Sequence, residues 1–403
     1  MIGDFTKPDD TMNASQTVLL AAEQFLHENY LFRRNVLKGQ VEFIKKPINE
    51  KTPKWLPLTP EAKNSIVLRA KREGLGEKGT PKQDIMEFFD SDEIECYDPI
   101  ADYLNNLPKW DGQNHVGMLF GRVPGVDSER QNYLSKWLLS MVAHWLQMDQ
   151  QHGNECVPTL IGAQGCGKTT FLKRILPPHL SEYYMDHINL ANQNDKHMGL
   201  TNNLLVNIDE IDSLTVHQNS MVKQLLSKSR VNSRPIYGRS QVDKPRYASF
   251  VATTNNPHPL TDVTGSRRFI CITIPKGQYI DNDSDIDYDQ LYAQVVYELR
   301  EQKAHYWFNN EEVARIQQLN VRYMRKTDMA DMVSICFRKP EEGEKAQSMN
   351  CSCLMEVITR EFPSVANNHY TKVNLGKTMR ALGYESTDCG HVAHYKVIPL
   401  LVA

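Results

Sequence analysis

Apolar residues recur at helical spacing over 16–30, after a cap at Asn13 or Ser15, and predict an N-terminal helix. Residues 32–44 alternate loosely about Gly39, which predicts two short strands joined as a hairpin. A proline-punctuated connector over 47–60 leads to a predicted helix over 61–71 and a basic, glycine-rich loop over 71–82. The next strong periodicity spans 129–150, where Leu134, Trp137, Leu138, Met141, Val142 and Trp145 share one face. The texture then changes. Short apolar runs at 157–161, 204–208, 247–253 and 269–274 alternate with helical stretches at 168–176 and 218–228, and a further helix is predicted over 288–304. That alternation is the pattern of an α/β domain with a largely parallel sheet. A charged connector at 339–345 suggests a boundary, followed by predicted helices over 354–362 and 374–383 and an alternating run over 391–400. Helix, helix and wing in that order predict a small winged-helix-like module.

Composition adds limits. With 403 residues, 40% hydrophobic and 24% charged, the chain is long enough for two or three folded domains, and wholesale disorder is excluded. A net charge of -3 means that any nucleic-acid surface is a local patch. No apolar stretch is long enough to cross a bilayer and no signal peptide opens the chain. Eight scattered cysteines fit a reducing cytoplasm better than a disulfide framework. Cys351, Cys353, Cys389 and His391 offer four zinc ligands on paper, but their one-residue spacing is unlike structural zinc sites, and small buried residues with a surface histidine are the simpler reading. Asp281, Asp283, Asp285, Asp287 and Asp289 begin like a calcium loop. Ile286 stands where glycine is required and Tyr292 where glutamate is, so the run reads as a solvated acidic loop.

The chemistry begins at the run 157–161, which leads directly into Gly162-Ala163-Gln164-Gly165-Cys166-Gly167-Lys168-Thr169. This satisfies G-x-x-x-x-G-K-[ST] between a strand and a helix. Glycines let successive N–H groups turn toward phosphate, and the helix start adds its positive end. Gly162, Gly165, Cys166, Gly167, Lys168, Thr169 and Thr170 form the candidate ATP-binding set, with Lys168 on the β/γ oxygens and Thr169 on Mg2+. The second strand ends in Asp209-Glu210, where Asp209 would hold the metal and Glu210 would orient the attacking water. Asp212 reads as a cap or surface charge. Asn255, after the third strand, would bond the γ-phosphate or that water, although Asn-Asn before Pro257 is also a good turn. Arg267 and Arg268 stand before the fourth strand. Either would stabilise charge on the transferring phosphoryl group, and solvated or salt-bridged arginines are the alternative.

The order GAQGCGKTT, LLVNIDE, SKSRVNSRPIYGRSQVDKPR, FVATTNN and LTDVTGSRRF, with YLNNLPKWDGQNHV upstream, resembles the virulence-associated protein E (VapE-like) ATPases. These are related to superfamily 3 helicases and phage primase-helicases. The resemblance covers about residues 90–275 well. It implies an AAA+-like P-loop core working as a homo-oligomeric ring, with a hexamer favoured. Lys168 and Thr169 would be the Walker A pair, Asp209 and Glu210 the Walker B pair, Asn255 sensor 1, and Arg267 or Arg268 the arginine finger. No separate sensor 2 arginine is evident.

Between the second and third strands, residues 228–246 carry many basic residues against a single acid. A hairpin there, with Arg239 near its tip and Lys244 on its return, would track single-stranded DNA in the ring channel, as in the related helicases. A solvated basic turn and arginines contacting nucleotide across the subunit interface are the alternatives. Lys377 and Arg380 would meet phosphate from the C-terminal module. The expectation is therefore a helical N-terminal domain over 1–110, a P-loop ATPase domain over 111–338 and a winged-helix-like module over 346–403. Its expected function is ATP-driven translocation on DNA during replication of a phage or mobile element. The alternatives are a DNA-assembled ATPase switch that recruits replication proteins, or a winged-helix regulator.

Overall fold

The structure is a computed structural model that describes residues 14–48, 53–75, 81–148, 153–233, 242–262, 265–325, 328–341, 343–363, 365–389 and 392–400. It divides into two compact units, Met1–Tyr323 and Met324–Ala403.

The first unit opens with helix α1 (Ala14–Asn29) and the antiparallel pair β1 (Tyr30–Asn35) and β2 (Gln40–Lys45), turned by Gly39 at a φ of 64°. Short strand β3 (Leu56–Pro57), helices α2 (Pro60–Ala70) and α3 (Pro81–Asp90), and strand β4 (Cys96–Tyr97) follow. The strands form one sheet in the order β3-β2-β1-β4, so helices share this region with a sheet. Phe25, Leu26, Tyr30, Phe43, Ile85 and Phe89 fill its own core.

Helices α4 (Pro99–Asn105), α5 (His115–Phe120) and α6 (Ser128–Trp145) lead into the central domain. Asp98, Asn114 and Asp127 cap their N-termini through side-chain oxygens, satisfying donors that the first turn leaves open. The central domain comprises β5 (Val157–Ile161), α7 (Lys168–Lys173), β6 (Tyr184–Met185), α8 (Gln193–Thr201), β7 (Leu205–Ile208), α9 (Val216–Ser227), the ribbon strands β8 (Arg230–Ser233) and β9 (Val242–Pro245), β10 (Ser249–Thr254), β11 (Phe269–Thr273), α10 (Tyr288–Arg300) and α11 (Asn310–Asn320). Five strands make a wholly parallel sheet in the order β11-β5-β10-β7-β6. The chain is thus mixed α/β around a parallel sheet.

Both faces of that sheet are covered. Leu205 and Val251 point into a core with Trp137, Leu138 and Met141 of α6. Val206, Ile208, Phe250 and Ala252, on alternate positions, pack with Leu225 and Leu226 of α9. Burial on two sides explains why these strands read as continuous apolar runs.

The second unit has α12 (Met329–Cys336), β12 (Phe337–Arg338), β13 (Gln347–Asn350), α13 (Cys351–Glu361), α14 (His369–Ala381), β14 (Ser386–Cys389) and β15 (Val392–Pro399). Strand β15 pairs antiparallel with β12, β13 and β14. Val333, Cys336 and Phe337 join Leu354, Ile358, Leu375 and Met379 in its core. The charged connector at 339–345 therefore lies inside this unit. No helix among the described residues is long and apolar enough to cross a membrane.

Candidate functional site

Parallel strands carry their C-terminal ends to one edge of a sheet, and ligands of open α/β folds sit there. At that edge β5 runs into the Gly162–Thr169 loop, β7 into Asp209-Glu210 and β10 into Asn255. They enclose a cleft of about 350 Å3 lined by Gly165, Gly167, Lys168, Thr169, Thr170, Asp209, Glu210 and Asn255, among others. Separate segments of the sequence therefore converge on one site.

The loop curls as its glycines allow. Gly165 and Gly167 adopt φ angles of 81° and 91°, and Gly167 is the left-handed residue from which α7 starts. A side chain at Gly167 would also collide with Asn282, whose Nδ2 donates to the Gly167 carbonyl at 3.1 Å. At Gly162 an added Cβ would stand 3.0 Å from Ile274 and 3.2 Å from the Cys166 sulfur. The Ile280 N–H donates to the Cys166 carbonyl at 3.0 Å, so the segment after β11 braces the loop from outside. Arg122 and Arg174 hold that segment through the Ser284 carbonyl. Within it, Ser284 donates to Asp281 and holds that carboxyl below its usual pKa range. The acidic run is thus a structured strap.

Lys168 is 8% exposed. Its ammonium donates to the carbonyls of Gly162 at 2.8 Å and Ala163 at 2.9 Å, and to Asn255 Oδ1 at 2.8 Å. Three donors meet three acceptors at the floor of the cleft. Thr253 donates to Asp209, and Thr254 to Asp212. Asp212 is therefore neither a cap nor a free surface charge; Glu210 occupies the cap position of the turn Ile211–Ser213. Glu210 is exposed and holds a left-handed conformation, φ 49° and ψ 53°. For a residue with a Cβ this is a strained backbone, and such strain clusters at working sites.

Arg267 and Arg268 lie elsewhere. Strand β11 runs parallel to β5 with Phe269 opposite Val157 and Thr273 opposite Ile161, so both arginines stand at the N-terminal edge of the sheet. Five residues of strand put them roughly 15 Å from their own chain's Gly162–Thr169 loop. Arg268 is largely buried and lies 3.4 Å from Glu155. Arg267 is exposed. Both line a separate cavity of about 290 Å3 with Asn154, Glu155 and Trp307.

The β8–β9 ribbon pairs Val231 with Lys244 and Asn232 with Asp243. Arg239 lies outside the described residues. Lys244 is half-buried. Arg246, from the same basic stretch, is 1% exposed. It donates to the carbonyls of Leu226 at 2.7 Å, Ala248 at 2.7 Å, Lys228 at 2.8 Å and Asn154 at 3.1 Å. Burial lowers its pKa to about 10. The carbonyls at the end of α9 offer partial negative charge to this guanidinium. Sequence alone gave no sign that this arginine points inward.

On α14, Tyr370, Val373, Lys377 and Arg380 are all exposed, on the face opposite buried Leu375 and Met379. Cys351 and Cys353 occupy the first turn of α13. The Cys389 side chain and His391 lie outside the described residues, and no cluster of three or more metal-ligating groups occurs among the described ones.

The virulence-associated protein E-like domain family matches residues 104–325. The chain belongs to that family. The match takes in α5, α6 and the whole parallel sheet, including every residue of the cleft. No curated protein matches the chain. Among solved structures it resembles the apo C-terminal region of NrS-1, residues 305–718, at 12% identity and a TM-score of 0.41, covering 95% of this chain and 99% of that one. A second form of the same region aligns at 11% identity and the same TM-score, over 94% of this chain and 99% of that one.

Proposed function

We propose that this chain is a magnesium-dependent ATPase with an AAA+-like core that moves along nucleic acid during replication of a phage or mobile element. The observation that carries the reading is the convergence of Lys168, Thr169, Asp209, Glu210 and Asn255 on one cleft. The loop N–H groups and the start of α7 would hold the phosphates of ATP. Lys168 would exchange its loop carbonyls for the β/γ oxygens. Thr169 and Asp209 would hold Mg2+, which when bound neutralises charge on the phosphate oxygens. Glu210, set at the cleft by its strained turn, would orient a water and accept its proton. Asn255 would then pass from Lys168 to the γ-phosphate or that water.

The position of Arg267 and Arg268 supports a site completed by a second copy. Neither can reach its own loop, and head-to-tail contacts of that kind close into rings. Within the ring, Lys244 of the ribbon would face single-stranded DNA, and Arg239, which lies outside the described residues, is the second candidate contact. In the C-terminal unit α12, β13, α13, α14 and the β14–β15 pair follow the order of a winged helix, with Lys377 and Arg380 placed for phosphate.

The test is ATP hydrolysis with and without single-stranded DNA, with Glu210→Gln and Lys168→Ala as controls. Hydrolysis that single strands stimulate, and that both variants lose, supports the motor. Hydrolysis indifferent to DNA favours an ATP-controlled switch that assembles on DNA and recruits replication proteins. No hydrolysis in the parent protein sinks the catalytic assignment.

A further inference from the structure

The tip of β10 is tied to the turn after β7 one residue at a time. Thr253 donates to Asp209. Thr254 donates to one oxygen of Asp212, and Asn256 Nδ2 donates to the other at 3.3 Å. The Asn256 N–H in turn donates to Thr254 Oγ1 at 3.0 Å. Asn255 thus sits between two residues that share a single carboxylate. Its own Oδ1 receives Lys168.

Resting on the ATPase reading of this cleft, we propose that Asp212 is a positioning residue that sets Asn255 against the reacting phosphate. Asn255 lies just past the end of β10, where the last β5–β10 bond, from the Gly162 N–H to the Thr254 carbonyl at 3.2 Å, holds its peptide from one side. The clamp on its two neighbours holds it from the other. A carboxylate suits the task because both of its oxygens only accept, and here they meet a hydroxyl and an amide N–H at once. Removing it takes the Asp212 acceptor from Thr254 and Asn256 and leaves the peptide that carries Asn255 held only through the Thr254 carbonyl. Asp212 also lies in the same turn as Glu210, so the clamp joins the turn bearing the proposed base to the loop bearing the proposed sensor.

The relation to Asp209 gives the arrangement its logic. Two consecutive threonines, 253 and 254, reach two carboxylates three residues apart, 209 and 212. A shift of the β7 turn on loading the cleft would therefore be passed to Asn255 through two bonds in parallel. Single-atom contacts rarely hold a side chain within the tolerance catalysis needs, where about 1 Å of misplacement costs about a hundredfold in rate.

The test compares the parent protein, Asp212→Ala, Asp212→Asn, Asn255→Ala and the Asp212→Ala/Asn255→Ala pair. Steady-state ATP hydrolysis, affinity for a fluorescent ATP analogue and amide hydrogen exchange over 253–256 are read for each. Expected is a fall in kcat of about 10- to 100-fold for Asp212→Ala, with analogue affinity within about twofold of the parent. The double variant should be no slower than Asn255→Ala alone. Asp212→Asn, which keeps an acceptor for Thr254 but opposes two amide groups at Asn256, should fall between. Exchange should accelerate over 253–256 and not across the rest of the sheet. Losses that multiply in the double variant, an unchanged kcat, or exchange that rises uniformly with a lowered melting temperature would each overturn the proposal. Should the parent neither bind nor hydrolyse ATP, the ATPase reading fails on its own. The exchange comparison then still decides whether Asp212 fixes Asn255.

Discussion

Lys168 Nζ and Asn255 Oδ1 lie 2.8 Å apart across 87 residues of sequence. This bond joins the Gly162–Thr169 loop to the end of β10, and the lysine also donates to the Gly162 and Ala163 carbonyls. On the proposed ATPase reading the two residues would have separable duties. Lys168→Ala should lower affinity for a fluorescent ATP analogue by at least about tenfold and abolish measurable hydrolysis, because the charge that offsets the phosphates is gone. Asn255→Ala should bind the analogue about as well as the parent while kcat drops about 10- to 1,000-fold, the usual range for a lost polar group at the reacting centre. Equal losses of affinity in both variants would contradict this division.

The two arginines before β11 should also separate. Arg268 is tethered to Glu155 and mostly buried, whereas Arg267 is exposed. Arg267→Ala should cut hydrolysis by about 1,000-fold or more without changing the melting temperature. Arg268→Ala should lower the melting temperature slightly, since the half-exposed pair with Glu155 is worth about 1 kcal/mol or less. If the site is shared between copies as proposed, mixing Arg267→Ala with Lys168→Ala protein should restore part of the activity, since each copy would supply what the other lacks. A mixture as inactive as its components would rule out donation between copies.

Arg246 gives a prediction about stability. Its guanidinium is held by main-chain carbonyls drawn from the end of α9, from the start of β10 and from Asn154. Arg246→Met should cost at least about 1–3 kcal/mol in denaturant unfolding, the range for leaving a buried acceptor unsatisfied. Arg246→Lys should recover little of it, because a single ammonium cannot span carbonyls that lie on several sides of a planar fork. Recovery to the parent midpoint would show that charge, not shape, is what this position needs.

Much of the cleft was legible because each part is local. The strand, the glycines, Lys168 and Thr169 fall within thirteen consecutive residues, and their spacing alone implies a curled loop before a helix. Asp209-Glu210 and Asn255 could be read as strand tips because buried parallel strands stand out as apolar runs. The two-sided core explains why those runs were clear. What escaped was non-local or depended on orientation. Asp212 looks like any turn carboxylate until Thr254 and Asn256 are folded against it. Arg246 stands in a basic stretch that reads as a nucleic-acid surface, yet it points inward. The small strands β3, β4 and β6 have two residues each, too short for any alternation to register. The charged connector at 339–345 reads as a boundary, which leaves residues 329–338 with the P-loop domain, since sequence does not show that Val333 and Cys336 pack with Leu354 and Met379.

The cysteines provide a check on burial in both units. Cys156 immediately precedes β5 and Cys271 lies within β11, and burial pushes both thiols well above the ordinary range. Burial raises Cys336 to about 11. Cys96 and Cys353 are exposed. Since the thiolate is the reactive form, a maleimide at neutral pH should label Cys96 and Cys353 within minutes and leave Cys156, Cys271 and Cys336 unmodified until the protein unfolds. Mass spectrometry of the labelled peptides reads the order directly. Early labelling of Cys156 or Cys271 would contradict the packing of β5 and β11 described above.

The carbonyl cage around Arg246 also bears on how binding measurements behave in electrolyte. A buried cation held by neutral dipoles feels little of the surrounding ionic atmosphere, whereas exposed lysines and arginines that contact phosphate feel nearly all of it. If the chain binds nucleic acid as proposed, raising potassium chloride should therefore strip it from the protein while the root of the β8–β9 ribbon stays folded. A plot of log affinity against log salt would then count ions displaced at the surface, uncontaminated by loss of the scaffold beneath it.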